Sequence, residues 1–546
     1  MRFNPVPLPE RTVIVRNKDK RYVYLTKEVV YKPELKTSRP TRVAIGKLDH
    51  NGMLIPNQNY FDLFGYTDDL IDSDDRSDFI SVGPHFVMDS ISRQNGLKEL
   101  LVEIFEEDYA NKILDLATYM IMSESNVMNY FEDYGYSHSL FNIHNFTDAT
   151  IDRLFKEIKG KEIDLFIKAW VKMHLDKGIY ISYDSTNMNS VAGNLELAEH
   201  GHAKDNAELP QVNLSLGYDQ VNHIPMFYEL YPGSIIDNSE CEKMVERAKM
   251  YGCEAVGFVL DRGYFSTENI KYFERNGYDY ILMTKGNAKF IKEAIDQCRA
   301  KLINGYKHYI DEYEIYGTTV ELQLFKEGKK QYVHVYYNGV EAEQEKIKIN
   351  QKFKKMEEEL EGKKEKKIKR KEDVAYYEKY YKLGYDENGY FINYQRKEEK
   401  IRELMEHTGY FSIITSKAMS ASEALGIYRD RDAVEKIFRM EKTYLGQDVF
   451  RVHSEEHLES KVFISFIGLI MRNEIYKSMK ELYKKNRKEY TVPKAIREYE
   501  RLGLTKLSDG EYHLRYKLTS KQKKLMKAIG KTEIEYQAFA RKIKTS

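Results

Sequence analysis

Tyr428, Arg431, Glu435 and Lys442 bring a phenol, two cations and a carboxylate into the spacing Tyr-x2-Arg-x3-Glu-x6-Lys. On an α-helix turning about 100° per residue the four lie within roughly 60° of one another, on one face. Ile427, Ala433, Val434, Ile437 and Met440 spread over the other side, with Phe438 at the boundary. That pattern predicts a helix docked on a core by its apolar stripe, its polar face turned outward. At a rise of about 1.5 Å per residue the polar stripe is roughly 21 Å long, enough to follow several phosphates. Two chemistries are open. Arg431 and Glu435 could be a solvated i, i+4 pair worth about a few tenths of a kcal/mol, or Glu435 could bind a metal ion with the cations set on a polyanion around it.

Two further carboxylates bear on the choice. Tyr180-Ile181-Ser182-Tyr183-Asp184 and Gly257-Phe258-Val259-Leu260-Asp261 both read as apolar strands ending in an aspartate. Either aspartate alone could cap a turn. With Glu435 they make a set that phosphodiester cleavage can use: two divalent cations about 3.5 to 4 Å apart activate water or a 3′-hydroxyl and stabilise the leaving oxygen. Mg²⁺ takes oxygen ligands and keeps several waters, so three carboxylates suffice for the pair. Elsewhere, His200 and His202 have no Cys or other His at a spacing that completes a zinc site, and they read as a loop contact. The acidic cluster Asp68, Asp69, Asp72, Asp74, Asp75 and Asp78 reads as a solvated loop.

The elements that must position these residues follow from periodicity. Residues 1–95 alternate short apolar and polar runs with turn residues between them and read as β-hairpins. Residues 96–177 change to helical periodicity, predicting a bundle of several short helices that could contact DNA. Residues 178–289 give three consecutive strands and then strand-helix alternation, the order of an RNase H-like core. In such a sheet the first and fourth strands are neighbours, which lets Asp184 and Asp261 meet while a helix packed across them supplies the third carboxylate. Residues 290–406 interrupt the pattern with strands at 313–325 and 331–337 and a Lys/Glu run at 341–373, read as an exposed helix or helical hairpin inserted into the core. Residues 407–475 resume the sheet at Tyr410 and carry the glutamate helix. Residues 476–546 form a basic helical region, and after Tyr476 the chain carries twenty Lys and Arg against eight Asp and Glu, interleaved with tyrosines, a plausible phosphate-binding surface. The fold class is therefore α/β: an RNase H-like mixed-sheet core with a β-rich and helical insertion, preceded by β-hairpin and helical regions.

Composition narrows the class. At 546 residues the chain exceeds a single core and should hold about three or four domains. A hydrophobic fraction of 42% with 13% aromatics excludes a disordered protein. With 86 basic and 86 acidic residues, only local charge can speak for a polyanionic partner. Cys241, Cys253 and Cys298 are too few and too scattered for a disulfide framework and suit core packing in a reducing cytoplasm. The apolar run Val462 to Met471 is about half of what a membrane span needs, so no membrane is expected. No G-x-x-x-x-G-K-[ST] or G-x-G-x-x-G segment occurs, which argues against a nucleoside triphosphate site.

Asp184, Asp261 and Glu435, with Tyr428, Arg431 and Lys442 around the last, resemble the DDE transposases of bacterial insertion sequences, family four and its longer relatives of the sixteen-thirty-four type. Asp261-Arg262-Gly263-Tyr264-Phe265-Ser266 is similar to the second-aspartate motif of that family, and Gly201-His202-Ala203-Lys204-Asp205 with Leu209-Pro210-Gln211 to a segment after the first. The resemblance covers about residues 177 to 475. Ala203 stands where Ser is common in the long relatives, and Asn206-Ala207-Glu208 replaces a more basic stretch. The resemblance implies cut-and-paste transposition with Asp184, Asp261 and Glu435 as catalytic metal ligands for two Mg²⁺ ions, Mn²⁺ substituting. It implies DNA contacts by Tyr428, Arg431, Lys442, Arg262, His202 and Lys204. Its implied partners are transposon-end DNA with terminal inverted repeats, target DNA and a second copy of the chain in a synaptic complex, in the bacterial cytoplasm and on the nucleoid. Some relatives stack a Trp of the insertion on a flipped base. The single Trp here, Trp170, precedes Asp184, so a Tyr or Phe would have to supply any such stack. A metal-dependent nuclease of the same fold that cuts without strand transfer is the alternative. A non-catalytic DNA-binding descendant is disfavoured by the intact carboxylates.

Overall fold

The computed structural model describes the chain except residues 1–4, 18–19, 33–36, 50, 66–76, 143, 176–179, 191–194, 202–208, 236, 254–255, 287, 327–328, 369–370, 432–448, 453, 508–510 and 546. The chain divides into two units, residues 1–166 with 441–546, and residues 167–440.

The first unit opens with an antiparallel meander of β1 (Thr12–Asn17), β2 (Lys20–Lys32), β3 (Thr37–Leu48) and β4 (Leu54–Pro56). The short helix α1 (Gln58–Phe64) follows, capped by the Asn57 side chain, and its Tyr60 packs against Val6, Val23, Ile45 and Leu54. After β5 (Phe79–Ser81) come α2 (Gly83–Gln94), α3 (Leu97–Ser123), α4 (Phe131–Ser137) and α5 (Asp148–Glu157). The span of α3 is broken at Glu106, where φ is 65° and ψ 164°, so it is two helices, 97–105 and 107–123. The apolar helix Glu455–Lys485 packs on this span, Phe105 on Phe463 with ring centroids 5.4 Å apart. The C-terminal region is not wholly helical. Strand Gly503–Lys506 pairs with β5 on one side and with Tyr512–Leu514 on the other, so the end of the chain completes a sheet begun near its start.

The division between units falls within α6 (Gly160–His174). Beyond it, β6 (Tyr180–Ser190), β7 (Gln211–Asp219) and β8 (Ile224–Pro232) form an antiparallel meander, and α7 (Asp237–Met250) leads to β9 (Gly257–Leu260). Strand β9 lies parallel to β6, and after α8 (Thr267–Arg275) strand β10 (Asp279–Met283) lies parallel to β9. Parallel neighbours need a crossover, which α8 supplies. The resulting order β8-β7-β6-β9-β10 is that of an RNase H-like core. Trp170 is buried in this unit and donates its indole N–H to the Pro225 carbonyl at 2.9 Å, a packing role and not a stacking one. Cys241, Cys253 and Cys298 are free and buried.

The insertion is more closely joined to the core than its sequence suggests. After α9 (Lys289–Asn304), strands β11 (Tyr309–Ile310), β12 (Ile315–Leu322) and β13 (Gln331–Tyr337) extend the same sheet, because β13 pairs with β16 (Tyr410–Thr415) and β16 with β10. Between β13 and β16 the chain makes an excursion: α10 (Gly339–Glu361), α11 (Lys371–Glu378), β14 (Tyr381–Tyr385), β15 (Phe391–Arg396) and α12 (Glu398–Glu406). The Lys/Glu run within it is not merely a solvated face. Phe353, Met356 and Leu360 are buried against Tyr377, Tyr380, Tyr381 and Phe391, a small core of the excursion's own. The excursion starts and finishes at one point, since Asn338 N–H donates to the Gly409 carbonyl at 2.9 Å and Tyr337 pairs with Tyr410.

Helix α13 (Ala421–Arg429) follows β16. Ala421, Leu425 and Tyr428 bury one stripe against Val259, Ile281, Ile315, Tyr336 and Ile413 of the sheet. The Ser420 side chain caps its start by accepting the Glu423 N–H, Tyr336 donates to the Ala421 carbonyl at 2.7 Å, and Gln220 donates to the Ile427 carbonyl at 3.1 Å. Both ends of the helix are thereby tied to the sheet.

Candidate active site

Parallel pairing of β6 with β9 sets Tyr183 opposite Leu260. The next residue on each strand is an aspartate, Asp184 and Asp261, so the register brings the two carboxylates level with each other. They are reached differently. Asp261 ends its strand and caps the single turn Arg262–Tyr264, accepting the Arg262 N–H at 2.7 Å. Asp184 does not end its strand as the sequence suggested: β6 continues to Ser190, still paired with β7. Parallel pairing with β9 stops at Tyr183, and Asp184 lies where the two strands part. The Ser185 N–H donates to Asp184 Oδ1 at 2.9 Å.

The last turn of helix α13 and the turn that follows it supply the groups that meet these carboxylates. Arg431 Nη1 donates to Asp184 Oδ2 at 3.0 Å, and Nη2 lies 3.9 Å from Asp261 Oδ2. Tyr428 Oη donates to Asp261 Oδ1 at 3.1 Å and lies 3.3 Å from the Met283 sulfur. The Arg431 guanidinium carbon is 5.3 Å from the centre of the Tyr428 ring, within cation–π range. Burial pushes the Tyr428 phenol well above its ordinary range, and the two carboxylates add to this against the opposing pull of Arg431. The phenol therefore keeps its proton and serves as a donor.

This arrangement corrects the expected orientation of the polar face. Tyr428 and Arg431 do not look into solvent: the Arg431 side chain is 7% exposed, against 16% for Asp184 and 35% for Asp261. The expected continuous helix is also interrupted. Helix α13 ends at Arg429, and Asp430 and Arg431 form a turn. Arg431 thus pairs with Asp184, 247 residues away. Burial of a guanidinium is costly unless its charge is met, and the two carboxylates where β6 and β9 part meet it.

Of the residues singled out in the sequence, Asp184, Asp261, Tyr428 and Arg431 converge. Arg262 follows Asp261 with an exposed side chain. Glu435, Lys442, His202 and Lys204 lie outside the described residues, as does most of the acidic cluster at 68–78; His200 is described and exposed. Among the described residues no group of three metal-ligating side chains occurs. Two side chains beside the site had no local signal: Met283, the last residue of β10, and Tyr313, whose ring lies 4.5 Å from the Arg429 guanidinium carbon. Two aspartates side by side where β6 and β9 part provide hard oxygen donors suited to Mg²⁺ or Mn²⁺, and they would accept a third carboxylate from the chain beyond Arg431.

Comparison with known proteins agrees with this chemistry. Residues 179–471, more than half of the chain, match the family described as Transposase DDE domain. Among solved structures, a piggyBac transposase synaptic complex with hairpin DNA is similar at 10% identity and a TM-score of 0.36, over 85% of this chain and 81% of that one. A Mos1 transposase paired-end complex with left transposon end is similar at 11% identity and a TM-score of 0.15, over 31% of this chain and 63% of that one. Neither likeness is close enough to bear on function. No curated protein sequence matches the chain. Among the described residues no helix is long and apolar enough to cross a membrane.

Proposed function

This chain belongs to the Transposase DDE domain family, and from that premise we propose that it is a cut-and-paste transposase of the insertion-sequence type, family four or its longer sixteen-thirty-four relatives. It would bind terminal inverted repeats, hydrolyse a strand at each element end, and direct the freed 3′-hydroxyl at target DNA. The observation that carries this reading is the level placement of Asp184 and Asp261 on adjacent parallel strands, each with one oxygen engaged by a side chain from the end of α13.

Asp184, Asp261 and Glu435 would hold two Mg²⁺ ions, for which Mn²⁺ would substitute, and these ions supply an activated oxygen nucleophile and stabilisation of the leaving oxygen. The chain's own groups prepare that site. Tyr428 fixes Asp261 by donating to Oδ1, which leaves Oδ2 for other ligands. Arg431 holds Asp184 and, as a forked donor, can also take a phosphate oxygen of a strand laid across the carboxylates. Lys442, Arg262, His202 and Lys204 are proposed as further contacts to the DNA backbone. Two element ends have to be joined, so the working species would be a homodimer holding both ends. The setting would be the bacterial cytoplasm and nucleoid.

The test is cleavage and joining of DNA bearing the matching inverted repeats, with Mg²⁺ or Mn²⁺, comparing the native chain with Asp184→Asn, Asp261→Asn and Glu435→Gln. Metal-dependent joining of a labelled 3′-OH end to plasmid, lost in all three variants, is the expected result. Cleavage without joining would assign the chain to metal-dependent nucleases, and full activity in any variant would remove that residue from the site.

A further inference from the structure

One face of the N-terminal meander is covered over Val23, Ile45 and Leu54 though not at Ile14, and the other face is open. Val23, Ile45 and Leu54 are buried on the side that receives Tyr60 of α1. Residues paired directly across strands point to the same side, so the register defines the other face row by row. One row is Val15, Tyr22, Lys47 and Ile55; the next is Val13, Tyr24 and Ala44; a third holds Thr26 and Arg42. Val15 and Ile55 are 42% and 40% exposed, Arg42 and Lys47 are exposed, and the two tyrosines are half-buried. Lys47 Nζ lies 5.8 Å from the centre of the Tyr22 ring. By alternation from Lys47, Asp49 at the end of the ladder falls on this side, and its Oδ1 is taken up by the Asn51 and Met53 N–H groups of the turn. Glu28, beyond a register shift and opposite Thr41, falls on the covered side.

We propose that this open face binds single-stranded DNA, with Tyr22 and Tyr24 as stacking platforms and Arg42 and Lys47 as phosphate contacts. Tyr22 and Tyr24 stand two residues apart on one strand, roughly 7 Å along it, a step that bases splayed out of their stack can follow. A cationic surface bearing aromatic rings is the recurring means of holding single strands, because every base has a π-face and every nucleotide a phosphate. A duplex hides its base faces and would leave the tyrosines and the apolar residues unused. A protein partner would use the apolar residues, but it gives no reason for two exposed cations, Arg42 and Lys47, flanking the tyrosines along β3. Single-stranded DNA arises wherever an element end is opened for cutting.

The experiment is ultraviolet crosslinking of the full chain to a short bromouracil-substituted single strand, with the joined peptide identified by mass spectrometry, together with fluorescence anisotropy on the same strand. No metal is needed, so the result is independent of the carboxylate site, and failure here would leave the Asp184→Asn comparison untouched. The expected crosslink falls on the peptide containing Tyr22 and Tyr24. The Tyr22→Ala/Tyr24→Ala double variant should lose about tenfold or more in single-strand affinity, while Tyr22→Phe/Tyr24→Phe, which keeps both rings, should retain it. Arg42→Glu/Lys47→Glu should weaken binding and flatten its salt dependence. Crosslinks elsewhere with undiminished affinity in the alanine variant would overturn the proposal. So would an equal loss of duplex affinity, or a change of sedimentation with single-strand binding intact, which would mark the face as a protein interface.

Discussion

At the scale of single residues, the site rests on who engages each carboxylate oxygen. Tyr428→Phe preserves the ring that packs on the sheet and removes one donor. A loss of about 1 kcal/mol or less in stability is expected, with a several-fold weaker affinity for Mn²⁺, read by its electron paramagnetic resonance signal. A variant that binds Mn²⁺ as the native chain does would relegate the phenol to packing. Arg431→Lys keeps the charge and loses the fork, so strand transfer should fall while folding survives. Arg431→Ala leaves Asp184 partly buried without this cation and should also lower the thermal midpoint. These two residues were legible in the sequence as members of a chemical set, but their direction was not. Helical phase put Arg431 on a polar face turned away from the core. The fold instead turned it onto Asp184, because a short apolar stripe, Ala421, Leu425 and Tyr428, decides how α13 seats, and that stripe begins seven residues before the motif.

At the scale of elements, strands were read closely where both faces are buried. β13 and β16 were placed at Gln331–Tyr337 and Tyr410–Thr415. β6 was cut short, because Ser185 to Ser190 carry polar residues and the strand persists only through pairing with β7. Helix α13 offers a direct test of what seats the motif. Leu425→Ala should cost about 2–5 kcal/mol and Ser420→Ala about 1 kcal/mol, both read by urea denaturation, and both should reduce joining more than they reduce DNA binding. Helix α3 carries a different prediction. Asp115 is buried and accepts the N–H groups of Phe141 and Asn142 at 2.7 and 2.9 Å, yet burial outweighs them and pushes its carboxyl up to about 8. The folded state thus holds a proton that the unfolded chain releases near pH 4. Its stabilising effect is complete below that value and is lost as pH rises toward 8. The urea midpoint of Asp115→Asn relative to the native chain should therefore rise across this window and level off above it; a difference independent of pH would place the carboxyl in its ordinary range.

At the scale of the whole molecule, the order of strands in the core was legible because each announces itself locally. The joining of the insertion to the same sheet was not, since nothing near Gln331 indicates that its neighbour lies beyond Tyr410. The same holds for Gly503–Lys506, whose partner β5 is more than four hundred residues earlier. The excursion between β13 and β16 begins and ends at a hydrogen-bonded pair and has its own core. Replacing residues 339–408 by an Asn-Gly turn should therefore leave a folded chain with an unchanged sheet, because a two-residue turn of that kind suits an antiparallel pair. Circular dichroism and a cooperative unfolding transition would check it, and an unfolded product would show that the excursion stabilises the sheet it leaves. The long span between Asp184 and Arg431 has one more consequence, which concerns synthesis. A polypeptide released after Asp261 but before Tyr428 carries both aspartates and neither Tyr428 nor Arg431, so such a product cannot assemble the cluster. A message cut short upstream of α13 therefore yields fragments in which Asp184 and Asp261 lack the donors that hold them in the full chain.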